Sequence, residues 1–310
     1  MQQAQFPKET GTQGEFRRQD SAFRRWVRAD GGAEFPAESG RYHLYVSSAC
    51  PWAHRAIIVR KLKGLEDAIG MTIVDPLRDA RGWKFTDQPD PLNGFQFLAE
   101  AYLATDPDFD GRVTVPVLWD KQTHQIVNNE SSEILRMLNR EFDAFGKDHV
   151  DLFPEALQGE IDSLNERIYN TVNNGVYRSG FAATQAAYME AVLPLFATLD
   201  DLENRLAGKR YLLGDRITEA DWRLFTTLVR FDAVYHGHFK CNLRRIVDYP
   251  NLWSYLRDLY QQPGVAETVD FDHIKRHYYM THLALNPTGI VPAGPAINFN
   301  EPHERGGGQR

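Results

Sequence analysis

Cysteine is scarce in this sequence: of 310 residues, only Cys50 and Cys241 carry a thiol. Two thiols so far apart build no disulfide framework, no CxxC redox pair and no cysteine-based zinc site, and a reducing compartment suits them best. No metal is expected. Long apolar runs are missing too. No stretch approaches the roughly 20 residues that span a bilayer, and the N-terminus lacks the apolar core of a secretory signal. The expected protein is therefore soluble, unexported and cytoplasmic, with no membrane partner. Positive charge is in deficit, since 35 basic residues against 42 acidic ones leave a formal charge of −7. Such a balance offers a phosphate backbone no global attraction and argues against a nucleic-acid partner.

What is present is ordinary globular composition. An apolar content of 42% over 310 residues is enough for a sizeable core and suggests about two domains. Five arginines between Arg17 and Arg28 resemble a transit peptide, but Glu15, Asp20 and Asp30 interrupt them and such peptides avoid acids. Phe16-Arg17-Arg18 is echoed by Phe23-Arg24-Arg25, which reads either as an aromatic and basic flap on a folded body or as a solvated face.

Tyr42 to Val46 alternates as a short strand and runs into Ser47-Ser48-Ala49-Cys50-Pro51. From Pro51 to Lys63 the pattern is helical. Proline suits the first helical position, which puts Cys50 at the N-cap, and Gly64 is a natural stop. Met71 to Val74 reads as a second strand, and one helix, Phe95 to Leu103, is expected inside the Gly/Pro-interrupted stretch 76–111. Val113 to Trp119 resumes a strand pattern, with Pro116 pointing to an edge or bulge and often to a cis bond. His124 to Val127 makes the partner strand, and Asn129-Glu130-Ser131 opens a helix to about Phe142. A right-handed crossover followed by a hairpin is the thioredoxin-like order.

Beyond Phe153 the periodicity is helical over Ala156–Tyr169, Thr184–Leu206, Thr218–Tyr235 and Pro250–Gln261. Thr218-Glu219-Ala220-Asp221 is a capping box with Ile217 as its hydrophobic staple, a structural feature contributing about 1 kcal/mol. The expected division is an N-terminal extension 1–40, an α/β thioredoxin-like domain 41–145, an all-α domain 153–285 and a tail 286–310. That tail should run over the surface and fray at Gly306-Gly307-Gly308.

A thiol is inert as a nucleophile until ionised. A helix N-cap supplies free N–H donors and the positive end of the helix dipole, so Cys50 is placed for reactivity. His54 and Arg55, one turn in, can add positive field. Position 53 is alanine, so Cys50 cannot close an internal disulfide, and Cys241 is more simply a core or surface residue. Glutathione is the abundant cytosolic thiol able to resolve a mixed disulfide. Its extended backbone can pair with a strand edge at Val115. Glu130 and Ser131 can offer an acid to its ammonium and a hydroxyl with helix N–H groups to its γ-glutamyl carboxylate.

With these residues in view, the chain resembles the glutathione S-transferases, and among them the glutathionyl-hydroquinone reductases of the Xi class. The resemblance is carried by Ser48-Ala49-Cys50-Pro51-Trp52-Ala53-His54-Arg55, Arg81-Gly82-Trp83-Lys84-Phe85, Val115-Pro116-Val117-Leu118-Trp119-Asp120, and Asn129-Glu130-Ser131-Ser132-Glu133-Ile134. Gly175-Val176-Tyr177, Arg230 to Tyr235, His238 to Cys241 and Ile274 to Tyr279 carry the rest. It implies the glutathione S-transferase fold, a glutathione co-substrate, glutathionyl-hydroquinone substrates and a homodimer. Cys50 would be the nucleophile, Trp83, Val115, Glu130 and Ser131 would hold glutathione, and Tyr177, Tyr235 and Tyr278 would line the aromatic site. The rival expectations are a general omega-like thiol transferase or dehydroascorbate reductase, a conjugating enzyme acting through Ser47 or Ser48, and a non-catalytic ligand-binding member of the fold.

Overall fold

The computed structural model describes residues 9–86 and 88–305, so the expected fraying at 306–308 lies outside the described residues. The chain forms two compact units. Among the described residues the first holds 19–151 and 268–289, and the second holds 9–18, 152–267 and 290–305.

In the first unit, two-residue strands β1 (Val27–Arg28) and β2 (Phe35–Pro36) pair in parallel ahead of β3 (Tyr42–Val46), all five residues of which are buried. Helix α1 (Pro51–Leu62) crosses to β4 (Gly70–Ile73), which lies parallel to β3. Gly64 adopts φ +61° just past the helix, a conformation a side chain would oppose, and its N–H donates to the Lys61 carbonyl. A small hairpin, β5 (Arg78–Asp79) with β6 (Gly82–Trp83), precedes α2 (Ala99–Thr105). Strands β7 (Val117–Asp120) and β8 (Gln125–Asn128) then complete a sheet of order β4-β3-β7-β8, with α3 (Ser131–Arg140) after it.

Two elements start later than their propensity suggests, and each delay has a local cause. Thr114 does not enter β7 because the Tyr102 hydroxyl donates to its carbonyl (2.8 Å) and accepts its N–H (3.1 Å). The chain turns there through the cis Val115–Pro116 bond, and a register shift between Leu118 and Trp119 marks the expected irregularity. Helix α2 is held back to Ala99 because Phe97 bridges Lys84, while Glu100 Oε1 accepts the N–H groups of Gln96 and Phe97 at 2.8 and 2.9 Å.

The second unit is helical: α4 (Gln158–Ile168), α5 (Gly175–Gly180), α6 (Gln185–Leu206), α7 (Glu219–Arg230), the single turn α8 (His236–His238) and α9 (Pro250–Tyr260). Runs read as single helices to Tyr169 and Tyr235 end in π-helical turns, Tyr169–Asn173 and Phe231–Tyr235. The Asn173 amide donates to Thr227 Oγ1 (2.7 Å) and the Arg223 carbonyl (3.0 Å), tying the first π turn to α7. Gly180 is needed for close approach, since a Cβ there would stand 2.3 Å from the Phe239 ring. The tail is docked at Phe299 and Arg305. Phe299 packs between Trp253 and Tyr260 at 5.3 and 5.0 Å, and the Arg305 guanidinium donates to the carbonyls of Leu206 and Arg210 at 2.8 and 3.1 Å.

After α9 the chain returns to the first unit as α10 (Phe271–Thr281), a helix the periodicity reading passed over and grouped with the helical half. Asp270 caps it by accepting the His273 N–H at 2.9 Å, and Ile274, His277 and Tyr278 form its buried stripe.

Buried histidines set an acid limit on this fold. Burial pulls His43 and His238 from 6.5 to about 4, and His277 to about 3. Each is neutral when folded, whereas the unfolded imidazole protonates near 6.5. Their contribution is complete above pH 6.5 and is lost as pH falls toward 4 and then 3, at up to about 1.4 kcal/mol per pH unit for each. Melting temperature should therefore drop steadily between about pH 6.5 and pH 5, with a shallower slope in a His277→Asn variant. A flat profile would contradict this.

Candidate active site

Cys50 is the N-cap of α1, as Pro51 at the first helical position requires. Its backbone is extended, its carbonyl accepts the His54 N–H at 3.0 Å, and its half-exposed sulfur lies 3.6 Å from the Val115 carbonyl. The β3–β7 ladder stops at the Tyr45–Val117 pair, so it does not consume the main-chain groups of Val115. A thiol and an unladdered edge of backbone thus share one corner of the sheet.

Glu130 and Ser131 form the start of α3. Glu130 Oε1 accepts the Ser132 N–H (3.1 Å) and hydroxyl (2.9 Å), while Oε2 accepts the Ser21 hydroxyl at 2.9 Å. Burial alone would raise this carboxyl, but those bonds and the charge of Arg55 outweigh it and leave its pKa below the ordinary value. Arg55 is itself buried, stacked on Trp52 at 4.6 Å and donating to Ser131 Oγ at 3.3 Å. The helix-borne cation therefore faces the Glu130–Ser131 pair. His54 is tied by Nε2 to Thr268 Oγ1 at 2.8 Å.

Behind this corner sits a network that sequence reasoning missed. The Asn129 amide donates to the Tyr102 hydroxyl (3.1 Å) and to Thr114 Oγ1 (3.3 Å), so Val115 and the start of α3 are braced by the same side chains. An asparagine before a Glu-Ser pair was the only signal.

Trp83, on β6, is buried and stacked on His277 of α10 at 4.9 Å, with the Arg78 guanidinium 5.3 Å from its ring. His277 is held by Nδ1 donating to the Pro76 carbonyl at 2.7 Å. The buried Trp83 indole N–H has no hydrogen-bond partner among the described residues, a state it shares with the indoles of Trp26, Trp119 and Trp222. Tyr278, the next residue on α10, is buried against His277 and His282.

The other two candidate tyrosines lie in the second unit. Tyr177 of α5 and Tyr235 of the π turn approach to 6.1 Å between ring centroids, and Phe239 packs on both at 5.5 Å. Phe16 joins this aromatic cluster through Phe181 at 5.4 Å, whereas its echo Phe23 packs on Tyr102 and Phe109 in the first unit. Cys241 is fully buried in the second unit, and burial pushes its thiol up to about 12, so it is an inert core residue.

Fold and sulfur together define a class. A thioredoxin-like domain with one accessible thiol at a helix start, and no second cysteine beside it, is laid out as a monothiol transferase. Sequence comparison narrows this. The family models described as glutathione S-transferase, N-terminal domain, and glutathione S-transferase, C-terminal domain, match residues 49–141 and 184–258. The glutathionyl-hydroquinone reductase YqjG of Escherichia coli (strain K12) is 55% identical over 305 residues, covering 95% of this chain and 93% of that protein. The solved structure of a Xi class glutathione transferase from Natrialba magadii superposes with a TM-score of 0.90 at 54% identity, covering 91% of this chain and 88% of that one. The glutathione-bound structure of YqjG gives 0.89 at 55%, covering 91% and 96%. The chain belongs to the glutathione S-transferase family, and within it to the Xi-class glutathionyl-hydroquinone reductases.

Proposed function

We propose that this protein reduces glutathionyl-hydroquinones to hydroquinones at the expense of glutathione, with Cys50 as nucleophile. The observation that carries the reading is the Cys50 sulfur at a helix N-cap, 3.6 Å from the carbonyl that precedes the cis-proline. In the first step the Cys50 thiolate attacks the glutathionyl sulfur. A Cys50–glutathione disulfide forms, the carbon–sulfur bond breaks, and the ring carbon takes the electron pair and a proton. In the second step a glutathione thiolate attacks that disulfide, releasing oxidised glutathione and restoring the Cys50 thiolate.

Glutathione binding draws on Val115 for main-chain pairing, the unpartnered Trp83 indole N–H, Glu130 for the ammonium and Ser131 with the α3 N-terminus for the γ-glutamyl carboxylate. Tyr177, Tyr235 and Tyr278 supply hydroxyls to the phenolic oxygens. Expelling an aryl carbanion is difficult unless the ring tautomerises or is protonated as it leaves, and a hydroxyl donor assists both. The thioredoxin-like segment 41–145 carries the glutathione chemistry, and the helical segment 153–285 carries most of the aromatic recognition. We further propose a cytoplasmic homodimer that needs no metal.

Mass spectrometry of the protein mixed with one equivalent of a glutathionyl-hydroquinone, without added glutathione, should show a gain of one glutathione located on Cys50. Absence of that adduct while hydroquinone is released would refute the mechanism. Changing Tyr177, Tyr235 and Tyr278 together to Phe should slow hydroquinone release by about 100-fold while sparing reduction of a simple mixed disulfide. Equal rates on the hydroquinone adduct would favour a general thiol transferase.

A further inference from the structure

Residues 23–25 pair along the end of β8 as an added edge. The Asn129 N–H donates to the Phe23 carbonyl and the Phe23 N–H to Asn129 Oδ1, both at 3.0 Å. Arg25 N–H donates to the Val127 carbonyl and the Asn128 amide to the Arg25 carbonyl, again at 3.0 Å. Arg24 pairs with Glu133 at 2.8 Å, and Val27 N–H meets Met137 Sδ at 3.1 Å. Pairing at this many points fixes the register, and the register delivers Ser21 to one place. Its hydroxyl lies 2.9 Å from Glu130 Oε2 and 3.3 Å from the Asn129 carbonyl.

The two oxygens of Glu130 are used differently. Oε1 is committed to the helix cap through the Ser132 N–H and hydroxyl. Oε2 takes its bond from Ser21 and keeps a lone pair for a cation. With Ser21 absent, only the bonds at Oε1 would oppose rotation about the last side-chain torsion, which is broad for glutamate and carries both oxygens with it.

We propose that Ser21 is a positioning residue for glutathione: its hydroxyl fixes the plane of the Glu130 carboxylate so that Oε2 meets the γ-glutamyl ammonium. The inference rests on reading Glu130 as the ammonium's partner. It makes the N-terminal segment part of the glutathione site rather than a flap over it.

Titration calorimetry on the full chain separates the possibilities, using reduced glutathione and an analogue in which hydrogen replaces the γ-glutamyl amino group. Ser21→Ala should weaken glutathione about 5- to 10-fold and the analogue by less than about twofold, and Ser21→Thr should restore the affinity. In steady state the same alanine variant should raise the glutathione KM with little change in kcat. Unchanged glutathione affinity in Ser21→Ala, or equal weakening of both ligands, would overturn the proposal, the latter because it marks a merely structural role. Glu130→Gln tests the underlying reading independently. If it binds glutathione as tightly as the parent, that reading fails; if it weakens glutathione while Ser21→Ala does not, the reading stands and the Ser21 proposal falls.

Discussion

Cys50→Ser should cut release of hydroquinone from a glutathionyl adduct by at least about 1000-fold, the scale on which removing a covalent nucleophile acts. Serine keeps the shape but not the chemistry. Its hydroxyl does not ionise near neutral pH, and attack on the adduct's sulfur would have to form an oxygen–sulfur bond in place of a disulfide. Nearby hydroxyls offer no substitute. Ser47 is fully buried with Oγ accepting the Ala49 N–H at 3.3 Å, and Ser48 is buried as well. The loss should be confined to chemistry, because the half-exposed sulfur makes one weak contact, at 3.6 Å, with the Val115 carbonyl. Melting temperature should stay within about 2 °C of the parent, as for other substitutions that remove little packing. Glutathione affinity should also survive, since Trp83, Val115, Glu130 and Ser131 hold the tripeptide in the proposed site. A stable, glutathione-binding Cys50→Ser protein that turned over adducts at the parental rate would refute the nucleophile assignment.

What the sequence made legible is what neighbours in the chain decide. Proline at the first position of α1 places Cys50 at the cap, and Thr218 and Asp221 form the capping box of α7. Strand β3, apolar and aromatic, fell within its expected bounds because both its faces are buried. The failures involve partners distant in sequence. Tyr102 takes the main-chain groups of Thr114, so high strand propensity at Val113 and Thr114 does not make a strand. Helix α10 is charged over much of its length and is held by Pro76 and Trp83, which precede it by nearly two hundred residues. Ser21 meets Glu130 across 109 positions, and no local pattern announces it. By sequence, Arg55, one turn into α1, can add positive field at the sulfur, but its direction depends on Trp52 and Ser131. Periodicity carries no information about any of these pairings.

Asp221→Ala should destabilise the second unit by about 4 kcal/mol, several times the effect of an ordinary helix cap. As a capping-box acid, Asp221 has the expected partner, Thr218, whose N–H and hydroxyl it accepts on Oδ2 at 2.8 and 3.0 Å. The fold asks more of it. Oδ1 accepts the Leu212 N–H and the Tyr255 hydroxyl, both at 3.0 Å, so one fully buried carboxylate joins the loop before α7, the cap itself and α9. Burial pushes this carboxyl's pKa up, and the four donors pull against that shift without cancelling it. Truncation to alanine leaves the N–H groups of Leu212 and Thr218 and the Tyr255 hydroxyl without their acceptor in a place water does not reach. Stranding buried donors costs more than the net value of the bonds lost. Asp221→Asn should fall between parent and alanine, because its amide nitrogen would confront donors at one of the two oxygen positions. The melting transition should drop by about 10 °C for alanine, on the usual scaling for a unit of this size. A fall of only about 3 °C would show that Asp221 acts as a simple helix cap and that its bonds to Leu212 and Tyr255 contribute little.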